Sequence, residues 1–155
     1  MKISKLTVIL LVYALFWLSG CSMGHTMIKE NLSPYPFDKT VDVIVDNAQV
    51  QKWSVPKVYD FQALLIEKGE EDPGKFKVIK LCKASIASKM LTPDDSKYMG
   101  AMMPCSVAVY EKQDGKTYVS SMNMSLMATM FGGEVGDILN QVAQEEKSIL
   151  QFLHK

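Results

Sequence analysis

The chain has 155 residues, 48% hydrophobic and 22% charged, with 17 basic residues, all lysine, against 17 acidic ones. That length suits one domain with a real core, and near-neutral charge without arginine argues against nucleic-acid binding, which needs a basic patch to neutralise phosphates. The only histidines, His25 and His154, stand near the two ends, so a Ser-His-Asp triad, a Cys-His pair or a histidine zinc site would have to borrow a terminus.

In chain order, Lys2 and Lys5 precede a charge-free apolar run from Leu6 to Leu18. The run matches a signal-peptide core and is shorter than the ~20 residues a membrane-spanning helix needs. Leu18-Ser19-Gly20-Cys21 follows and resembles the lipobox of bacterial lipoproteins. The resemblance implies cleavage before Cys21 and lipidation of its thiol. Several acyl chains anchor stably where one is marginal. Ser22 at the next position leans towards the outer membrane. The expected location is therefore the bacterial cell envelope, on the periplasmic face, with the membrane as partner through the anchor. Removing 20 of the 155 residues leaves 135, and loss of Lys2 and Lys5 leaves 15 basic against 17 acidic residues. The expected organisation is a signal peptide over 1–20, a lipidated tether over 21–30 and one domain over 31–155.

"NLSPYPF" marks a turn after a first strand. "DKTVDVIVDNAQVQKW" carries Val41, Ile44, Val45 and Ala48 at helical spacing, with Asp38 as N-cap and Pro56 as the stop. "KVYDFQALLIEK" reads as a strand over Val58–Phe61 followed by a bend or short helix, and "GEEDPG" as a solvated loop. Residues 75–82 read as a strand, 83–91 as a short helix and 94–104 as an irregular link. "CSVAVYEK" and "KTYVSS" flank Asp114-Gly115, a hairpin signal. "MNMSLMATMFGG" is methionine-rich. Its pairs Met122/Met124 and Met127/Met130 suit a shared strand face and a shared helical face, respectively. Residues 134–153 set Val135, Ile138, Leu139, Val142, Ile149, Leu150 and Leu153 on one helical face. The expected class is α+β, a mostly antiparallel sheet with helices packed on one face and a long C-terminal helix.

The segments "PYPFDKTVD", "FKVIKLCKASIASKML", "MMPCSVAVYEKQDGKTYVSSMN" and "FGGEVGDILNQVAQEEKSIL" together resemble the family called domain of unknown function 302. The likeness runs from about residue 29 to 152. It implies a compact α+β domain of two β-α-β-β-like halves that often forms homodimers. It implies no activity and carries over no site residue.

The chemistry-bearing residues are sulfur-rich. With Cys21 taken by lipid, Cys82 ends one predicted strand and Cys105 begins another. In an oxidising compartment they could form a disulfide, act as a redox or ligand pair, or lie inert in a core. Eight of the eleven methionines fall between Met90 and Met130, and Met99, Met102 and Met103 directly precede Cys105. Thiolates and thioethers are soft donors that select Cu(I) over harder cations. Methionine is also an adaptable core filler. No Cys-x-x-Cys, Cys-x-x-Cys-His or phosphate-binding glycine loop occurs. The expectation is a non-catalytic binding domain for a soft metal such as Cu(I), a cofactor such as haem, or a partner protein. Its site would draw on Cys82, Cys105, Met99, Met102, Met103, Met122 and Met124. The rivals are a thiol–disulfide redox protein using Cys82 and Cys105, and a structural homodimer without ligand.

Overall fold

The computed structural model describes residues 26–154. The expected signal peptide and Cys21 lie outside them. Among the described residues no helix is long and apolar enough to cross a membrane.

Five strands form one antiparallel sheet in the order β1-β5-β4-β3-β2. They are β1 (Ile28–Leu32), β2 (Ser54–Asp60), β3 (Phe76–Cys82), β4 (Cys105–Glu111) and β5 (Thr117–Met122). Residues 28–30, the end of the expected tether, are thus already strand and pair with 120–122 of β5. Helix α1 (Phe37–Val50) joins β1 to β2, α2 (Phe61–Glu67) joins β2 to β3, and α3 (Ala84–Leu91) with a 3-10 helix (Asp94–Met102) joins β3 to β4. After β5 come α4 (Met124–Phe131), α5 (Gly133–Ile149) and a closing 3-10 turn (Gln151–His154). The chain therefore traces β-α-β-α-β from β1 to β3 and then β-α-β-β from β3 to β5.

Alternation along the strands fixes the two faces. Ile79 and Leu81, Val107 and Val109, and Val119 point to one side and are at most 1% exposed. The α1 residues Phe37, Val41, Ile44 and Ala48 and the α5 residues Ile138, Leu139, Val142 and Ile149 cover them. Phe76, Val78, Tyr110 and Tyr118 alternate to the other side. There Phe76 stacks on Tyr110 and Tyr110 on Tyr118. Short α2 packs on this outer face, setting Phe61 edge-on against Phe76. Ile28 and Leu32 of edge strand β1 remain about half exposed.

Local chemistry explains where the boundaries depart from expectation. Helix α1 begins after Pro36, not at an Asp38 cap; Asp38 stands in the first turn, where a carboxylate suits the helix dipole. The helix ends at Val50 because Lys52 takes φ +60°, turning the chain so that the Trp53 amide donates to the Ala48 carbonyl at 2.8 Å. Pro56 does not stop the helix. It lies in edge strand β2, whose register shifts between Ser54 and Lys57, the setting in which a strand tolerates proline. Asn123 caps α4 by accepting from the Leu126 amide. That cap separates Met122 and Met124, which do not share a strand face: Met122 is the last residue of β5 and Met124 the first of a helix. Met127 and Met130 differ as well, one buried and the other 61% exposed. Helices α4 and α5 touch so closely that a Cβ on Gly136 would sit 2.7 Å from the Ala128 carbonyl oxygen. Only glycine fits there.

Candidate functional site

Register brings the two cysteines to one end of the sheet. Leu81 faces Cys105 across the β3–β4 ladder, so Cys82, one residue on, stands at the same end of the sheet and, by strand alternation, on the other side of β3. Both are free thiols. Cys105 continues the inward row of Val107 and Val109, as its alternation predicts.

Beside these residues lies a small, partly open cavity of about 40 Å³, lined by both cysteines and by Met90, Met99, Met102, Met103 and Met124. Helix α3 supplies Met90, the 3-10 helix supplies Met99 and Met102, and Met124 arrives from the first turn of α4. Met90, Met99 and Met124 are buried, and Met102, Met103 and Cys105 partly so. Trp53, Leu139 and Val142 complete a nearly unbroken apolar wall. Of the residues expected at a soft-donor site, Cys82, Cys105, Met99, Met102, Met103 and Met124 meet at this cavity. Met122 is not in its lining, but shares an adjoining recess with Cys105, Met102 and Met124 and also lines the larger recess described below. Met90 and Trp53 join without having been anticipated.

Burial pushes the Cys105 thiol up to about 11, with the charges of Glu146 and Cys82 adding to the effect. At neutral pH it is a thiol, not a thiolate. At the cavity wall Lys83 donates to Glu145 Oε2 at 2.6 Å, Trp53 Nε1 donates to the same oxygen at 2.7 Å, and Gln141 Nε2 donates to Oε1 at 3.0 Å. Burial alone would raise the Glu145 carboxyl, but these donors outweigh it and hold it low.

A second recess, about 560 Å³, opens between β1, the end of β5 and the last turns of α5. Glu146 is buried in its wall and accepts from Ser121 Oγ at 2.6 Å. Burial raises this carboxyl, while Ser121 and the charge of Lys29 oppose the rise. Sequence reasoning passed over Glu146, yet a signal existed. It stands four residues after Val142 and three before Ile149, a charged residue inside an apolar stripe. No group of three or more His, Cys, Asp or Glu side chains able to hold a metal occurs among the described residues.

A family model described as "Domain of unknown function DUF302" matches residues 29–153. Among solved structures, an uncharacterized conserved protein DUF302 from Bacillus stearothermophilus superposes with a TM-score of 0.73 at 15% identity. The match covers 85% of this chain and 99% of that one, a likeness of fold. No curated protein matches this chain.

Proposed function

Given that this chain belongs to the DUF302 family, we propose that it is a membrane-tethered, extracytoplasmic domain that binds a soft cation of the Cu(I) type and performs no catalysis. One observation carries the reading: two cysteines and five methionines, drawn from five separate elements and the Met103 link, line a single small apolar cavity. Its 40 Å³ is ion-sized, far below the ~300–1,000 Å³ of small-molecule sites, so haem has no room in it. Thioethers bind Cu(I) without losing a proton, and an apolar wall keeps harder, strongly hydrated cations out. The tether rests on the lipobox-like Cys21 and its preceding apolar run.

The rival redox reading has weaker support. A catalytic thiol is activated by a lowered pKa, and burial moves Cys105 the other way. A methionine dimer surface is likewise poorly supported, since Met90, Met99, Met124 and Met127 are at most 6% exposed. A homodimer, should the chain form one, has better material on the outer sheet face, at Ile28, Leu32 and Tyr118.

Anaerobic titration of the purified protein with Cu(I), against a chromophoric competitor, tests the proposal. One ion per chain is expected, with affinity lowered about tenfold or more, 1.4 kcal/mol, in Cys105→Ser and in Met102→Leu. Affinity rises with pH as the Cys105 proton is displaced. Failure to retain copper, or retention unchanged in both variants, overturns the reading.

A further inference from the structure

The larger recess has the volume of a small-molecule site, about 560 Å³, inside the ~300–1,000 Å³ range typical of such sites. Its ingredients differ from those of the sulfur cavity. Glu146 is the only charged residue buried among the described residues, at 9% exposure. It has one hydrogen bond, from Ser121 to Oε1, and it is absent from the ion pairs. Burying a carboxylate without a paired cation is costly. At this place in the α5 stripe an apolar residue would serve packing better.

The recess also offers cations. Lys29 lines it from β1 and Lys147 from α5, and among the described residues neither joins an ion pair; Glu30, whose carboxylate pairs with Lys112, and His154 complete its charged and titratable lining. Leu150 and Leu153 supply apolar wall. A simple anion would meet the lysines but face the Glu146 carboxylate. A simple cation would meet Glu146 but face the lysines. A molecule carrying both charges satisfies all three.

We propose that this recess binds a small zwitterion, its primary ammonium on Glu146, its carboxylate or phosphate on Lys29 and Lys147, and its apolar part against Leu150 and Leu153. This site is independent of the copper reading. The ammonium supplies the close ion pair that Glu146 lacks, Lys29 acting on it only through its charge at longer range, and the two lysines select a ligand with an anionic group beside the amine. A free amino acid and an ethanolamine phosphate headgroup share this chemistry.

Calorimetric titration of the purified full chain separates the parts. The probes are L-leucine, O-phosphoethanolamine, isoamylamine, which lacks the anion, and isovalerate, which lacks the ammonium. At least one zwitterion binds about tenfold tighter than either half-molecule, and which one does identifies the amino-acid or headgroup source. Glu146→Gln, which preserves shape and can still accept from Ser121, lowers zwitterion affinity about tenfold and leaves isovalerate no weaker. Lys29→Met, on an exposed edge strand, weakens the zwitterion and spares isoamylamine, and it provides the test should the Gln variant fold poorly. No zwitterion binding below about 10 mM, or unchanged binding in both variants, overturns the proposal.

Discussion

The two cavities lie side by side yet are built by opposite rules. The sulfur cavity is small and almost wholly apolar, and its lining comes from residues that burial favours. The Glu146 recess is more than ten times larger and charged, and it holds a carboxylate that burial penalises. In the first, a ligand would have to replace packing. In the second, a ligand would repair an electrostatic deficit. Stability and binding should therefore respond in opposite directions when the two are mutated.

The largest effect belongs to the apolar side. Met99→Ala leaves a void beside Leu81 and Met90 and is expected to cost about 2–5 kcal/mol in denaturant unfolding, whereas Met99→Leu stays under about 1.5 kcal/mol. A small loss from the alanine variant would mean that the cavity wall collapses freely and is no preformed site.

Next comes thiol reactivity. With its pKa raised from an ordinary 9.0 to about 11, the Cys105 thiolate fraction at neutral pH falls about 100-fold. In Cys82→Ser protein, labelling of Cys105 by a thiol reagent is expected to be slower by that order than in the denatured chain. Equal rates would remove the apolar environment from the account.

On the charged side the sign reverses. The folded-state pKa of Glu146 is raised above its unfolded value. The stability it contributes is therefore present at low pH and is lost as pH rises through the folded value. Glu146→Gln is expected to lose that pH dependence and to be about 1 kcal/mol more stable than the parent at alkaline pH, read from melting curves across pH. A destabilised glutamine variant with the parent's slope would show that the carboxylate is well paired after all.

The smallest effect tests the clamp at the boundary. Trp53→Phe removes the donor to Glu145 while keeping most of the ring, and is expected to cost about 1 kcal/mol. It should also release part of the depression of the Glu145 carboxyl, visible in a carboxylate NMR titration.

The same contrast governs what could be read in advance. The sulfur cavity is partly legible because most of its donors lie in one short stretch, Met99 to Cys105, whereas the pairing of β3 with β4 that brings Cys82 near them comes from the fold. The recess joins 28–31, 121–125 and 143–154, so no local window contains it; only the misfit of Glu146 in its stripe announces it. In the fold, long-period signals carried. The inward rows of β4 and α5 and the Asp114-Gly115 hairpin stand where the pattern puts them. Single-residue punctuation carried less. Asp38 resembles a cap but follows a proline that already starts the helix, and Pro56 resembles a stop but occupies a bulged edge strand. Asn123 decided the fate of Met122 and Met124, and nothing in the alternation of methionines distinguishes a cap from one more strand residue.

Met124 lines both cavities. One residue thus serves as a party wall between the two spaces. Any occupant that draws this side chain inward reshapes the recess, and any occupant that pushes it outward reshapes the sulfur cavity. By thermodynamic reciprocity, the factor by which one occupant alters the affinity of the other must be the same in both directions. The domain would then report on two unlike chemicals through a single side chain.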